Sequence, residues 1–120
     1  MVLEAVDAGR YDGRTMVAMN DIRTLADRIA SAFDPQRIIL FGSHDAGTST
    51  PDSDVDLLVI LPFEGKGFRK SLEILNAVDP PFAVDLLARR PEDTARRYDQ
   101  GDPLNREALD RGCVLYERDG

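Results

Sequence analysis

Residues 41–61 read FGSHDAGTSTPDSDVDLLVIL. A Gly-Ser pair closes an apolar run, a polar loop follows, and Asp54 and Asp56 then open a second apolar run, Leu57 to Leu61. On a strand, successive side chains point to opposite faces, so Asp54 and Asp56 share one face about 7 Å apart. Two carboxylates on one face repel each other and resist burial, yet the residues after them enter a core. A cation relieves that conflict. Closely spaced Asp oxygens suit Mg²⁺, which leaves positions open for water and for phosphate oxygens of a substrate. Gly42 lets the backbone approach a ligand closely, and a helical turn starting at Ser43 would aim N–H groups at an anion.

Two look-alikes fail. Asp52, Asp54 and Asp56 occupy the first three ligand positions of a calcium loop, but Leu57 stands where that loop needs Gly and Phe63 where it needs Glu. Gly42 and Gly47 have P-loop spacing, but Thr48 stands where the Lys should follow.

Composition narrows the remaining classes. The chain has 120 residues, the size of one domain, and a formal charge of −7 from 22 acids against 15 bases. Long duplex nucleic acid is therefore not an expected partner, because such binding needs a basic footprint. Cys113 is the single cysteine, which rules out an internal disulfide and fits a reducing compartment. Neither a signal pattern nor an apolar run of membrane length is present, so a cytoplasmic location with no membrane partner is expected.

Residues 1–14 lack periodicity and are expected to be a flexible N-terminal segment, followed by a single domain over residues 15–120. Met19, Ile22, Leu25, Ala26, Ile29, Ala30 and Phe33 form one helical stripe, stopped at Asp34-Pro35. Arg37 to Phe41 and Asp54 to Leu61 are the first two strands. Phe68, Leu72, Leu75 and Val78 mark a second amphipathic helix, and Phe82 to Ala88 a third strand. Pro91 opens a short helix through about Tyr98. Asp102 and Pro103 supply an N-cap and first-turn proline for the last helix, and Gly112 its stop, with Cys113 to Glu117 a closing strand. The pattern predicts an α/β domain with a small mixed β-sheet flanked by helices. Asp85 is conspicuous as a lone acid among Val84, Leu86 and Leu87. Arg89 and Arg90, and Lys66, Arg69 and Lys70, are candidate phosphate contacts, weighed against the plainer role of solvated surface charge. His44, the only histidine, reads as an exposed loop residue.

Gly42-Ser43, Gly47 and Ser53-Asp54-Val55-Asp56-Leu57 together resemble the signature of the minimal nucleotidyltransferase domains of the DNA polymerase beta superfamily. The resemblance runs from about Ile22 to Glu117, taking in Asp85 and the closing segment Gly112 to Glu117. It implies the polymerase-beta-type nucleotidyltransferase fold, with the second and third strands adjacent. It also implies Asp54, Asp56 and Asp85 as catalytic metal ligands, with Gly42, Ser43 and Ser53 binding the nucleotide. Two Mg²⁺ ions and ATP are then expected, moving AMP to an acceptor hydroxyl with release of pyrophosphate. Stand-alone domains of this kind are often paired with a HEPN-type protein that they restrain as an antitoxin. The resemblance therefore implies a HEPN-type protein and a nucleoside triphosphate as partners, and the sequence leaves a homo-oligomer open. Two alternatives stand beside this reading: a binding protein that masks such a partner without turnover, and a small-molecule transferase of the aminoglycoside type. The family often places a base between the Ser and the second Gly. Here Gly42 to Asp56 holds four acids and no Lys or Arg.

Overall fold

The computed structural model describes residues 17–119. The expected flexible segment, residues 1–14, lies outside the described residues. Helix α1 spans Met19–Phe33 and buries Ile22, Leu25, Ala26 and Ile29, which recur at three and four residues on one face. Met19, expected in that stripe, stays exposed at the first turn. The helix ends where Asp34 turns left-handed at φ 48°, its N–H bonded to the Ala30 carbonyl, with Pro35 beyond it. Asp tolerates that conformation better than most residues because its short polar side chain can bond locally.

Four strands form one sheet in the order β3-β2-β1-β4: β1 is Arg37–Phe41, β2 Val55–Ile60, β3 Val84–Arg89 and β4 Cys113–Glu117. Strand β1 runs antiparallel to β2 and β4, and β2 runs parallel to β3. The sheet is therefore mixed, as the sequence pattern predicts. Both faces of β2 are covered, which explains why Leu57 to Leu61 is an unbroken apolar run rather than an alternating one. Leu40, Leu57, Val59 and Leu86 face α1 and helix α3, Gly67–Val78. On the other face, Ile39, Phe41, Leu58 and Ile60 meet Ala108, Leu104 and Leu109 of helix α5, Pro103–Arg111. A short helix α2, Ser43–Ala46, follows β1, and α4, Pro91–Asp99, follows β3.

Two local expectations change, and a third holds for a different reason. In α3 the buried face is Ser71, Ile74 and Val78, while Phe68 and Leu72 lie 61% and 52% exposed. Ser71 sets that orientation: its hydroxyl donates to the Gly67 carbonyl at 2.9 Å and accepts from the Ala88 N–H at 2.9 Å, tying α3 to β3. Asp102 takes the N-cap position of α5 without capping it; its carboxylate instead accepts from the Asn105 side-chain amide. Gly112 stops α5 with ordinary extended angles, φ −72°, and its need for glycine is steric. A Cβ there would meet the Ala108 carbonyl oxygen at 2.4 Å and the Leu40 carbonyl oxygen at 2.8 Å. The missing side chain lets the end of α5 seat against β1.

Candidate active site

Asp56 ends its strand pairing opposite Phe41 of β1 on one side and Asp85 of β3 on the other. Residues in register on parallel neighbours face the same way, with backbones about 4.8 Å apart, so Asp56 and Asp85 share a face. That is the α5 face, two residues along from Leu58 and Leu87. Asp54 lies in the turn just before β2, exposed, as Asp85 is; Asp56 is half-buried. The Asp56 carboxyl holds its proton more tightly than an ordinary aspartate. Burial is the main cause, reinforced by the charges of Asp85, Asp54 and Glu107 and opposed by His44.

Gly42 completes this corner. It takes φ 78°, and a Cβ there would lie 2.3 Å from Asp56 Oδ2. Only glycine both turns the chain at the end of β1 and leaves the carboxylate its room. Beyond it, α2 runs Ser43 to Ala46 and closes at Gly47, φ 80°, whose N–H returns to the Ser43 carbonyl. Ser53 is engaged in its own turn, its Oγ accepting from the Thr50 N–H at 2.9 Å. His44 Nε2 lies 3.2 Å from the Ser53 carbonyl oxygen, joining α2 to the turn that leads into β2. The lone histidine thus has a structural position that its polar sequence context does not reveal.

The donor chemistry suits a hard divalent cation: three aspartates, all oxygen donors, whose mutual repulsion such an ion would offset. Among the described residues, no three His, Cys, Asp or Glu side chains stand together as a ready-made metal cluster. Mg²⁺ does not need one, since it ordinarily takes one or two carboxylates and completes its shell with water and substrate phosphates. Asp56 and Asp85, in register on neighbouring strands, are the carboxylates that could share such an ion.

Of the basic residues singled out in the sequence, Arg90 and Lys70 are engaged elsewhere. Arg90 donates through Nε to the Phe63 carbonyl at 2.8 Å, bonds the Gly65 carbonyl and Asp93, and stacks on the Phe63 ring, holding the loop after β2. Arg89 is half-buried, its Nε without an acceptor, and burial together with the like charge of Arg97 lowers its pKa. Lys70 pairs with Glu73 and lies over the Phe33 ring, in the helix layer on the opposite face from Asp56. Instead, a cleft of about 470 Å³ beside Gly42, Asp45 and Ala46 is bordered by Arg106, Glu107 and Arg111 of α5. A second cleft of about 490 Å³, lined by Arg37, Thr94 and Tyr98, opens at the far end of the strands from Asp56.

This architecture is that of solved nucleotidyltransferases. A Sulfolobus solfataricus protein described as a nucleotidyltransferase aligns over 82% of this chain and 79% of its own, with TM-score 0.58 and 15% identity. A toxin–antitoxin structure with AMP-PNP aligns over 85% of this chain and 75% of its own, with TM-score 0.52 and 24% identity. A mutant of the toxin–antitoxin MntA-HpeT aligns over the same shares, with TM-score 0.50 and 20% identity. No curated protein sequence matches this chain. The nucleotidyltransferase domain family model matches residues 22–114, and the chain belongs to that family.

Proposed function

We propose that this chain is a Mg²⁺-dependent nucleotidyltransferase that moves AMP from ATP onto a hydroxyl of a HEPN-type protein partner, acting as its antitoxin in the cytoplasm. The observation that carries the reading is the register that sets Asp56 opposite Asp85, with Gly42 against the Asp56 carboxylate. The likeness to toxin–antitoxin structures, one of them with AMP-PNP, supports the choice of nucleotide and partner.

In this reading Asp54, Asp56 and Asp85 would hold the metal ions, which would supply charge neutralisation at the α-phosphate and acidify the attacking hydroxyl. Ser43, with its amide and hydroxyl beside Gly42, contacts the terminal phosphates, and Ser53 shapes the turn that presents Asp54. The acceptor oxygen forms a bond to the α-phosphorus as the bond to the bridging oxygen breaks. Pyrophosphate takes the leaving electron pair, and the hydroxyl proton passes to a carboxylate, a role this reading gives to the exposed Asp85.

The test is intact-mass measurement of the co-expressed partner with ATP and Mg²⁺. The partner gains one or more AMP units, and gains none with the Asp54→Asn variant. A partner that stays unmodified yet tightly bound and inhibited would replace this reading with that of a masking protein.

A further inference from the structure

We propose, resting on the nucleotide-transfer reading of the same site, that Arg106 and Arg111 of α5 supply the cationic contact to the polyphosphate that the loop after Ser43 lacks. Between Gly42 and Asp56 there is no Lys or Arg, and Asp45 adds negative charge beside Ser43. A polyphosphate held at Gly42 and Ser43 therefore needs its cations from another element. The cleft brings one: α5 lies across from Gly42, Asp45 and Ala46, with Arg106 and Arg111 on its border. That cleft adjoins the carboxylates, because Gly42 on its border lies directly against the Asp56 carboxylate.

Arg106 is held in place. Its Nε donates to the Tyr98 carbonyl at 3.0 Å and its guanidinium stacks over the Tyr98 ring at 4.9 Å. Both terminal nitrogens are without an acceptor among the described residues, a fork pre-oriented for phosphate oxygens. Arg111 has no hydrogen bond or ion pair among the described residues. Of the three acids on the cleft, Asp110 accepts the Tyr98 hydroxyl at 2.7 Å, while Asp45 and Glu107 have no ion-pair partner among the described residues. Two arginines therefore line the cleft together with these acids, and removing one arginine leaves the acids in excess. Gly112 fixes the geometry, since α5 reaches this position only because no Cβ keeps it off β1.

The experiment is calorimetric titration of the full chain with Mg-ATP at low ionic strength, on wild type and the series Arg111→Lys, Arg111→Ala and Arg111→Glu, with Arg106→Ala alongside. Loss of one charged contact to phosphate is expected to weaken binding roughly tenfold in Arg111→Ala and further in Arg111→Glu, with most of the loss restored in Arg111→Lys. Salt dependence of the affinity should become shallower as the charge is removed. Melting temperatures of the exposed Arg111 series should match wild type; Arg106→Ala loses its stacking on Tyr98, so its binding is read only beside its melting curve. Wild type that binds Mg-ATP while the Arg111 series binds equally well would overturn this assignment and leave the transferase reading standing. Wild type that binds no Mg-ATP would overturn both.

Discussion

Asp56 stands half-buried between Gly42 and the carboxylates of Asp54 and Asp85, and its charge weighs against folding. Its folded-state pKa lies above the ordinary 3.8, so between those values the native state binds more protons than the unfolded chain. The stability of metal-free protein therefore falls as pH rises from 3.8 through the folded-state pKa, and stays lower beyond it. Asp56→Asn removes the charge, so its metal-free melting temperature at neutral pH should hold or rise. Turnover should meanwhile drop roughly a hundredfold or more, as expected when a metal ligand worth several kcal/mol in the transition state is lost. A large fall in melting temperature would mean that the acid is structural. Asp45 makes the converse case. It borders the cleft without an ion-pair partner among the described residues, so Asp45→Arg should tighten Mg-ATP binding by about 1 kcal/mol, roughly fivefold, at low salt. Equal affinity of both proteins at low ionic strength would place the loop away from the phosphates.

Helix α5 is the element on which the site depends without donating a predicted ligand. Its contact with β1 is set at Gly112, where Gly112→Ala would drive a methyl against the Ala108 and Leu40 carbonyls and the Ile39 side chain. Overpacking of this kind costs about 1–3 kcal/mol, so a lower melting temperature is expected, together with weaker Mg-ATP binding as α5 shifts from Gly42. Unchanged melting would show that α5 moves freely and is no fixed wall of the site. The same element marks what the sequence could reveal. The strands, and the places of the acids on them, were legible because their signals are local: Asp54 and Asp56 two residues apart, then an apolar run, and Asp85 alone in a strand. The pairing of β2 with β3, implied by resemblance, is present in the register Val55↔Val84 to Ile60↔Arg89. The arginines of the cleft were not legible. Arg106 and Arg111 sit in a polar helix with no motif to set them apart, and only the tertiary packing through Gly112 brings them to Gly42. Likewise the buried face of α3 turned on Ser71, a polar residue whose two hydrogen bonds no hydrophobic periodicity reports.

At the scale of the whole molecule, the carboxylates lie at the rim of the sheet rather than in an enclosed chamber. Asp54 and Asp85 are exposed, and β3 forms the sheet edge beside them. No helix among the described residues is long and apolar enough to cross a membrane. A shallow, accessible site suits an acceptor presented on the surface of another protein, which brings its own walls, better than a small molecule that must be enclosed. In the proposed pairing, the charge of −7 acts on encounter. A HEPN-type partner that handles RNA needs a basic surface, and opposite net charges steer two proteins together over distances comparable to the Debye length. That length shrinks from about 30 Å at 0.01 M salt to about 10 Å at 0.1 M. The association rate of the pair, measured by stopped-flow mixing, should therefore fall at least about tenfold over that range, with the dissociation rate changing far less. A partner carrying phosphate-bound AMP presents a less basic face, so its association should be slower and less salt-sensitive than that of the unmodified protein. Rates that are flat with salt, or identical for modified and unmodified partner, would mean that the acidic surface plays no part in recognition and that contacts elsewhere on the fold select the partner.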